Sequence, residues 1–170
     1  MLCIGLFGTC GSSIWRTRFI KKYEELGIRF FNPQLPPGEW KEELATVEAE
    51  HLSKDDIILF PVTAETYGSG SLAETGFSIL QVSKNIENRS LIVFIENRLQ
   101  QQLQIKNPEA YNESMRARAL VIAHLKKINL PNVFIVDSLE KMLELSIKLY
   151  EVKKLQSEIF EYKSNFQKII

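Results

Sequence analysis

The stretch from Asp55 to Tyr67, DDIILFPVTAETY, decides how the chain is read. Ile57 to Val62 is apolar without alternation, which predicts a strand covered on both faces, as in a parallel sheet. The next stretch, Gly68 to Ile79, reads GSGSLAETGFSI: a glycine- and serine-rich turn opening a segment of helical period. Strand, turn and helix in that order make the first part of a βαβ unit.

The same alternation runs outward in both directions. Strands are predicted at Leu2 to Phe7, Ile28 to Phe31, Leu91 to Ile95 and Val133 to Val136, besides Ile57 to Val62. Helical patterns occupy Ser13 to Leu26, Glu39 to Ser53, Leu72 to Lys84 and Glu109 to Ile128, and a last amphipathic segment runs from Leu139 past Tyr150. Five strands alternating with helices predict a doubly wound, Rossmann-like α/β sheet, mostly parallel, with strand order 2-1-3-4-5 and right-handed crossovers. Ligands bind such sheets beyond the carboxyl ends of the strands, at the switch point between strands 1 and 3. Four loops fall there: FGTCGSSIWR, FNPQLPPGEW, VTAETYGSGS and ENRLQQQLQIKNP.

Residues 1–150 are expected to form this domain, and residues 151–170 a C-terminal helical extension. Its apolar Leu155, Ile159, Phe160 and Phe166 exceed what one domain needs, which points to self-association as a homo-oligomer.

With 170 residues, 45% of them hydrophobic, the chain can bury a core without disulfides or metal. Lys plus Arg equals Asp plus Glu at 21 each, so no global field favours a nucleic acid polymer or an anionic membrane surface. A small-molecule ligand fits this balance better. Cys3 and Cys10 read as reduced thiols of a cytoplasmic protein. The sequence has no CxxC motif or Cys/His cluster, so neither a metal nor a cofactor is expected. No apolar run approaches the roughly 18 residues of a membrane span.

Several residues could carry chemistry. Ser71 to Glu74 reads locally as a capping box, S-x-x-E, and that ordinary reading competes with a catalytic one. A carboxylate near a helix start is favoured in its ionised form, which suits a nucleophile. Glu48, with His51 one turn on and Glu39, Glu42, Glu43 and Glu50 nearby, reads ordinarily as part of a solvated acidic face. Asp55 and Asp56 read as a helix end and a strand start. The GTCGSS loop is glycine-rich but lacks a P-loop lysine, so a phosphate cradle is weakly indicated. Cys10 is a minor candidate for a low-pKa thiolate at a helix start. Trp15 and Trp40 could stack on a base or simply pack.

Together these features resemble the nucleoside 2-deoxyribosyltransferase family and its nucleoside-hydrolysing relatives. The resemblance rests on the glycine loop after strand 1, FNPQ after strand 2, an acidic residue ahead of DDIIL, and the turn ending in AETG. It covers roughly residues 2–96. It implies that Glu74 is a nucleophile and that Glu48, where the family usually has aspartate, acts on the base. Asn32 and Gln34 would fall in the base-binding loop with Trp40 near it, and Phe7, Gly8 and Thr9 would line the floor. Where the transferases place an aspartate that holds the sugar hydroxyl, this chain has Thr66 and Tyr67. Tyr67, Ser69 and Ser71 are therefore expected at the sugar end, where a hydroxyl-lined helix start could hold a 5′-phosphate.

The implied reaction is attack of Glu74 on the anomeric carbon, giving a glycosyl-enzyme intermediate, with Glu48 delivering or relaying a proton to the departing base. A second free base then takes the deoxyribosyl group in a transferase, and water takes it in a nucleotide N-hydrolase. A nucleotide-binding sensor without turnover and an NAD-consuming effector are the alternatives from other classes.

Overall fold

The computed structural model describes residues 2–35 and 41–167, with side chains as far as Tyr162. Its elements run β1 (Ile4–Leu6), α1 (Trp15–Leu26), β2 (Phe30–Phe31), α2 (Glu42–Lys54), β3 (Ile57–Val62), α3 (Ser69–Ser83), β4 (Ser90–Ile95), α4 (Gln101–Lys106), α5 (Pro108–Leu125), β5 (Val133–Ile135) and α6 (Leu139–Gln167). The five strands form one sheet in the order β2-β1-β3-β4-β5, and every neighbouring pair is parallel. This is the doubly wound α/β fold that the alternating pattern predicts.

Side-chain alternation along the strands explains why both faces are covered. Ile4, Leu6, Ile57, Leu59 and Ile92 project into one core, filled by Trp15, Phe19 and Tyr23 of α1 and by Met142 and Leu143 of α6. Ile58, Phe60, Val62, Leu91 and Val93 project the other way, against Leu72 and Val82 of α3 and Leu125 of α5. The winding direction reverses at β1, so α1 lies on the opposite face from α3 and α5. Tyr23 ties α1 to α6 directly, its hydroxyl 2.5 Å from Ser146 Oγ in the buried interface.

Three elements differ from expectation, each for a local reason. β2 starts at Phe30 because α1 ends in a left-handed Gly27 (φ 65°), and the Ile28 amide turns back to the Tyr23 carbonyl at 2.9 Å. The glutamine-rich run after β4 forms the short helix α4, anchored by the buried Leu99 just before it. α3 begins at Ser69, earlier than the apolar periodicity alone indicates, after a left-handed Gly68 (φ 68°). A Cβ at Gly68 would press on Val62 and on the Arg118 guanidinium, so glycine is required there on two counts. No helix among the described residues is long and apolar enough to cross a membrane.

Candidate active site

The loop after β1 is held in place by one buried side chain. Arg16, 2% exposed at the start of α1, donates from Nε to the Leu6 carbonyl at 2.9 Å and from Nη1 to the Thr9 carbonyl at 2.6 Å. Its Nη2 donates to the Phe7 carbonyl at 3.1 Å and to Cys10 Sγ at 3.4 Å. Arg16 therefore gathers the carbonyls that leave the carboxyl end of β1 and sets a fixed positive charge beneath the switch point. Burial pulls its pKa down, while the charges of Cys10 and Glu48 act the other way. The sequence reading passed over Arg16; its only signal is a basic residue in the first turn of the helix after a glycine-rich loop.

Phe7, Gly8 and Thr9 are structural parts of this floor. Phe7 is buried against Phe31. Gly8 has φ 83° and lies so close to the Pro61 carbonyl that a Cβ would collide with it. Thr9 donates its amide to the Pro61 carbonyl at 2.9 Å and accepts the Thr63 amide on Oγ1 at 3.0 Å, which fastens the loop to β3. The Gly-rich loop thus spends several of its polar groups on β3: Ser13 Oγ also lies 2.8 Å from Thr63 Oγ1, both buried. Trp15 packs in the core, edge-on to Phe19 with ring centroids 5.0 Å apart, and gives its indole N–H to the Thr9 carbonyl. Of the two readings of Trp15, packing is the one observed.

Glu48 and Glu74 approach this floor from two helices. Along α2, Glu42, Glu43 and Glu50 are exposed, whereas Glu48 is half-buried, which sets it apart from a uniformly solvated face. Burial raises the Glu48 pKa and the nearby Arg16 lowers it. Glu74 is solvent-accessible on α3, and its pKa is raised first by partial burial and then by the charge of Glu48. The charge of Glu48 on α2 thus reaches Glu74 on α3. Cys10 senses them both.

Two readings of single residues are corrected here. Gly68 is the N-cap of α3 and no side chain caps the helix, so Ser71 and Glu74 form no capping box. Glu74 lies in the second turn, where the helix dipole contributes little. Cys10 is not at a helix start, because α1 begins at Trp15, and its thiol pKa is raised, chiefly by burial against the partial offset of Arg16. An activated thiolate is the opposite of what the surroundings produce.

The base-loop residues divide. Asn32 lines a small cleft with Phe31, Pro33, Leu35, Leu44, Val47 and Glu48, between the β2 loop and α2. Gln34 reaches instead to the β1 loop, with Nε2 3.2 Å from the Gly11 carbonyl and Oε1 3.5 Å from Arg16 Nη1. Trp40 and Glu39 lie outside the described residues. Tyr67 and Ser69 line a separate groove between α3 and α5, and the Tyr67 hydroxyl donates to the Leu103 carbonyl at 2.9 Å. Ser71 is half-buried on α3.

The loop after β3 has its own organiser, a buried arginine that comes from far along the chain. Arg118 of α5 is fully buried and donates to the carbonyls of Val62, Thr63, Thr66 and Glu96, at 3.1, 2.9, 3.1 and 2.8 Å. Glu65 in the same loop is half-buried near it, with Oε2 buried and without a hydrogen-bond partner among the described residues. Arg16 and Arg118 together fix the two loops that flank the switch point. A search finds no family model that matches the chain, and no curated protein gives a significant match.

Proposed function

We propose that the chain cleaves the N-glycosidic bond of deoxynucleosides and transfers the deoxyribosyl group to another free base through a covalent glycosyl-glutamate intermediate. What supports this reading is the position of Glu48 on α2 and Glu74 on α3 beside the loops at the carboxyl end of the sheet, with the charge of Glu48 raising the Glu74 pKa. Two carboxylates whose surroundings differ can divide nucleophile and acid/base work between them. Glu74, reachable from solvent, attacks the anomeric carbon; its carboxylate oxygen forms the C–O bond as the C–N bond to the base breaks. Glu48, beside Asn32 in the cleft, relays a proton from solvent to the departing base nitrogen. The incoming base reverses these steps.

The exposure of Glu74 in the single chain supports a second reading, a (deoxy)nucleotide N-hydrolase, because water reaches the position of the intermediate. Chromatography after incubation with a panel of deoxynucleosides and their 5′-monophosphates, with and without a free acceptor base, separates the two. Base exchange that requires the acceptor supports transfer, and base release without it supports hydrolysis. Neither product with any substrate would remove both readings.

Glu48→Gln is expected to slow substrates with poor leaving bases more than those with activated ones. It should also move the acidic limb of kcat/KM to lower pH. The sign follows from the coupling: a nucleophile must be ionised, Glu48 raises the Glu74 pKa, and removing that charge lowers it. A limb that stays in place, or moves up, would separate Glu48 from the nucleophile.

The carboxyl-terminal half of α6 belongs to the same proposal. Val152, Leu155, Ile159 and Phe160 are each at least half exposed, an apolar surface that a second copy could cover. Light scattering of the whole chain against a chain ending at Tyr150 should show a larger species only for the former; equal masses would exclude association through this helix.

A further inference from the structure

At the amino end of the sheet, the edge away from Glu48 and Glu74, three side chains of metal-ligating type converge. Cys3 immediately precedes β1, Asp55 caps the carboxyl end of α2 just before β3, and His51 lies one turn earlier on α2. One donor atom from each, the Cys3 sulfur, a ring nitrogen of His51 and a carboxylate oxygen of Asp55, all lie within 4.8 Å of one another. Cys3 and Asp55 are buried, at 5% and 4% exposure, and His51 is half-buried.

The group is held rigidly. His51 lies flat on Phe31, with ring centroids 3.6 Å apart and planes 2° from parallel, and its Nδ1 is 3.0 Å from Asp55 Oδ1. Arg89 clamps the corner between α2 and β3, donating to the Leu52 carbonyl at 2.7 Å and the Asp55 carbonyl at 2.9 Å. The Cys3 amide donates to Asp56 Oδ2 at 2.9 Å, which fixes the start of β1 beside it.

One atom in this arrangement is unaccounted for. Asp55 Oδ2 is buried and has no nitrogen or oxygen partner among the described residues; only the weak Cys3 thiol donor faces the carboxylate, which leaves it under-satisfied at a cost in free energy. A cavity bounded by Arg29, Glu50, Lys54 and Asp56 opens onto the three side chains from solvent, so an ion has a way in. An enclosed, under-satisfied carboxylate beside a thiol and an oriented imidazole lacks only a central cation.

We propose that Cys3, His51 and Asp55 bind a divalent transition-metal ion of the zinc type, with a fourth position left to water or a small exogenous ligand. The ligand set decides the class of ion. A thiolate and an imidazole select zinc-like ions over magnesium or calcium, which take oxygen ligands. Three protein ligands with one open position are the usual complement of a reactive rather than a purely structural zinc ion. The charges also balance: the ion brings two positive charges, and the Cys3 thiolate and the Asp55 carboxylate one negative charge each. On binding, the Cys3 S–H bond breaks, its proton leaves to solvent, and the sulfur donates the freed electron pair to the metal. His51 ligates as the neutral imidazole through the nitrogen that faces the cluster, with the proton on the other ring nitrogen.

The test uses the full chain stripped with a chelator and titrated with Co²⁺. The expected result is saturation at one equivalent, with the visible bands of tetrahedral cobalt and a near-ultraviolet thiolate-to-cobalt charge-transfer band. Zn²⁺ should bleach both. Cys3→Ser should lose the charge-transfer band, and His51→Gln should weaken cobalt binding by about tenfold or more. The half-buried position of His51 makes its variant the safer one to fold, and circular dichroism of each variant checks that. Cys10→Ser should keep the band. The proposal is overturned by a wild-type protein without a charge-transfer band, by a band that survives Cys3→Ser but not Cys10→Ser, or by folded His51→Gln with undiminished affinity. None of these readings depends on turnover, so the metal site can fail while the glycosidic chemistry stands, and the reverse.

Discussion

Glu74→Gln is expected to lower turnover of a deoxynucleoside by several powers of ten, while the protein melts at the wild-type temperature or slightly above it. The kinetic part follows from covalent chemistry: an amide is a far poorer nucleophile, and each power of ten in rate corresponds to about 1.4 kcal/mol of barrier. The thermal part follows from what Glu74 does not do. It caps no helix, since Gly68 begins α3 without any side-chain cap. Its carboxylate pKa is raised in the fold by partial burial and by Glu48, so the ionised form is disfavoured there relative to the unfolded chain. That penalty is absent at low pH and appears as pH rises through the folded pKa, so removing the charge can only relieve it at neutral pH. Mass spectrometry of the wild-type protein trapped with substrate should find the sugar on the peptide containing residue 74, and the variant should carry none. Near-wild-type turnover in Glu74→Gln would end the proposal at its central residue.

Arg118→Ala should be the most damaging single change to stability. Each hydrogen bond from a charged group contributes about 1.5 to 3 kcal/mol, so even two of the four carbonyl bonds lost without replacement amount to about 3 to 6 kcal/mol. For a domain of this size that corresponds to a fall in melting temperature on the order of 10 °C. The damage is also local, because the carbonyls of Thr63 and Thr66 belong to the loop that leads into α3 and Glu74. Arg118→Lys should recover only part of the loss, since one ammonium cannot span four acceptors arranged around a planar guanidinium. Thermal melts of the two variants measure both effects. A melting temperature within a degree or two of wild type for Arg118→Ala would show that water or backbone movement replaces the guanidinium.

The parts of the molecule legible in the sequence are those set by local pattern. Ile57 to Val62 was readable to the residue, because a strand buried on both faces shows an unbroken apolar run. The strand order followed from strict alternation of strand and helix. What escaped depends on contacts between distant positions. The sequence around Ser71 carries a complete capping-box pattern, yet the helix starts at Ser69, because Gly68 must pass Arg118, and nothing near Gly68 announces an arginine from α5. Buried Arg16, Arg89 and Arg118 read in sequence as ordinary surface charge, since burial of arginine requires a set of carbonyls that only the fold assembles. Cys3, His51 and Asp55 share no motif spacing; the parallel pairing of β1 with β3 brings them together. Of the proposed catalytic pair, Glu48 stood out only by its place in the family resemblance, and its half-buried position on an otherwise exposed acidic helix is a fact of packing.

α6 is one uninterrupted helix from Leu139 to Gln167, but its two halves live under different conditions. Met142, Leu143 and Ser146 are buried against the domain, whereas nearly all of residues 151–162 face solvent. Starting a helix is the unfavourable step, and extending one already started is close to neutral. The docked half therefore serves as a nucleus that the outer half never has to form for itself. In a single chain the outer turns inherit their order from the inner ones, so their loss would leave the sheet in place. Backbone amide exchange would register this as protection that declines turn by turn beyond Tyr150.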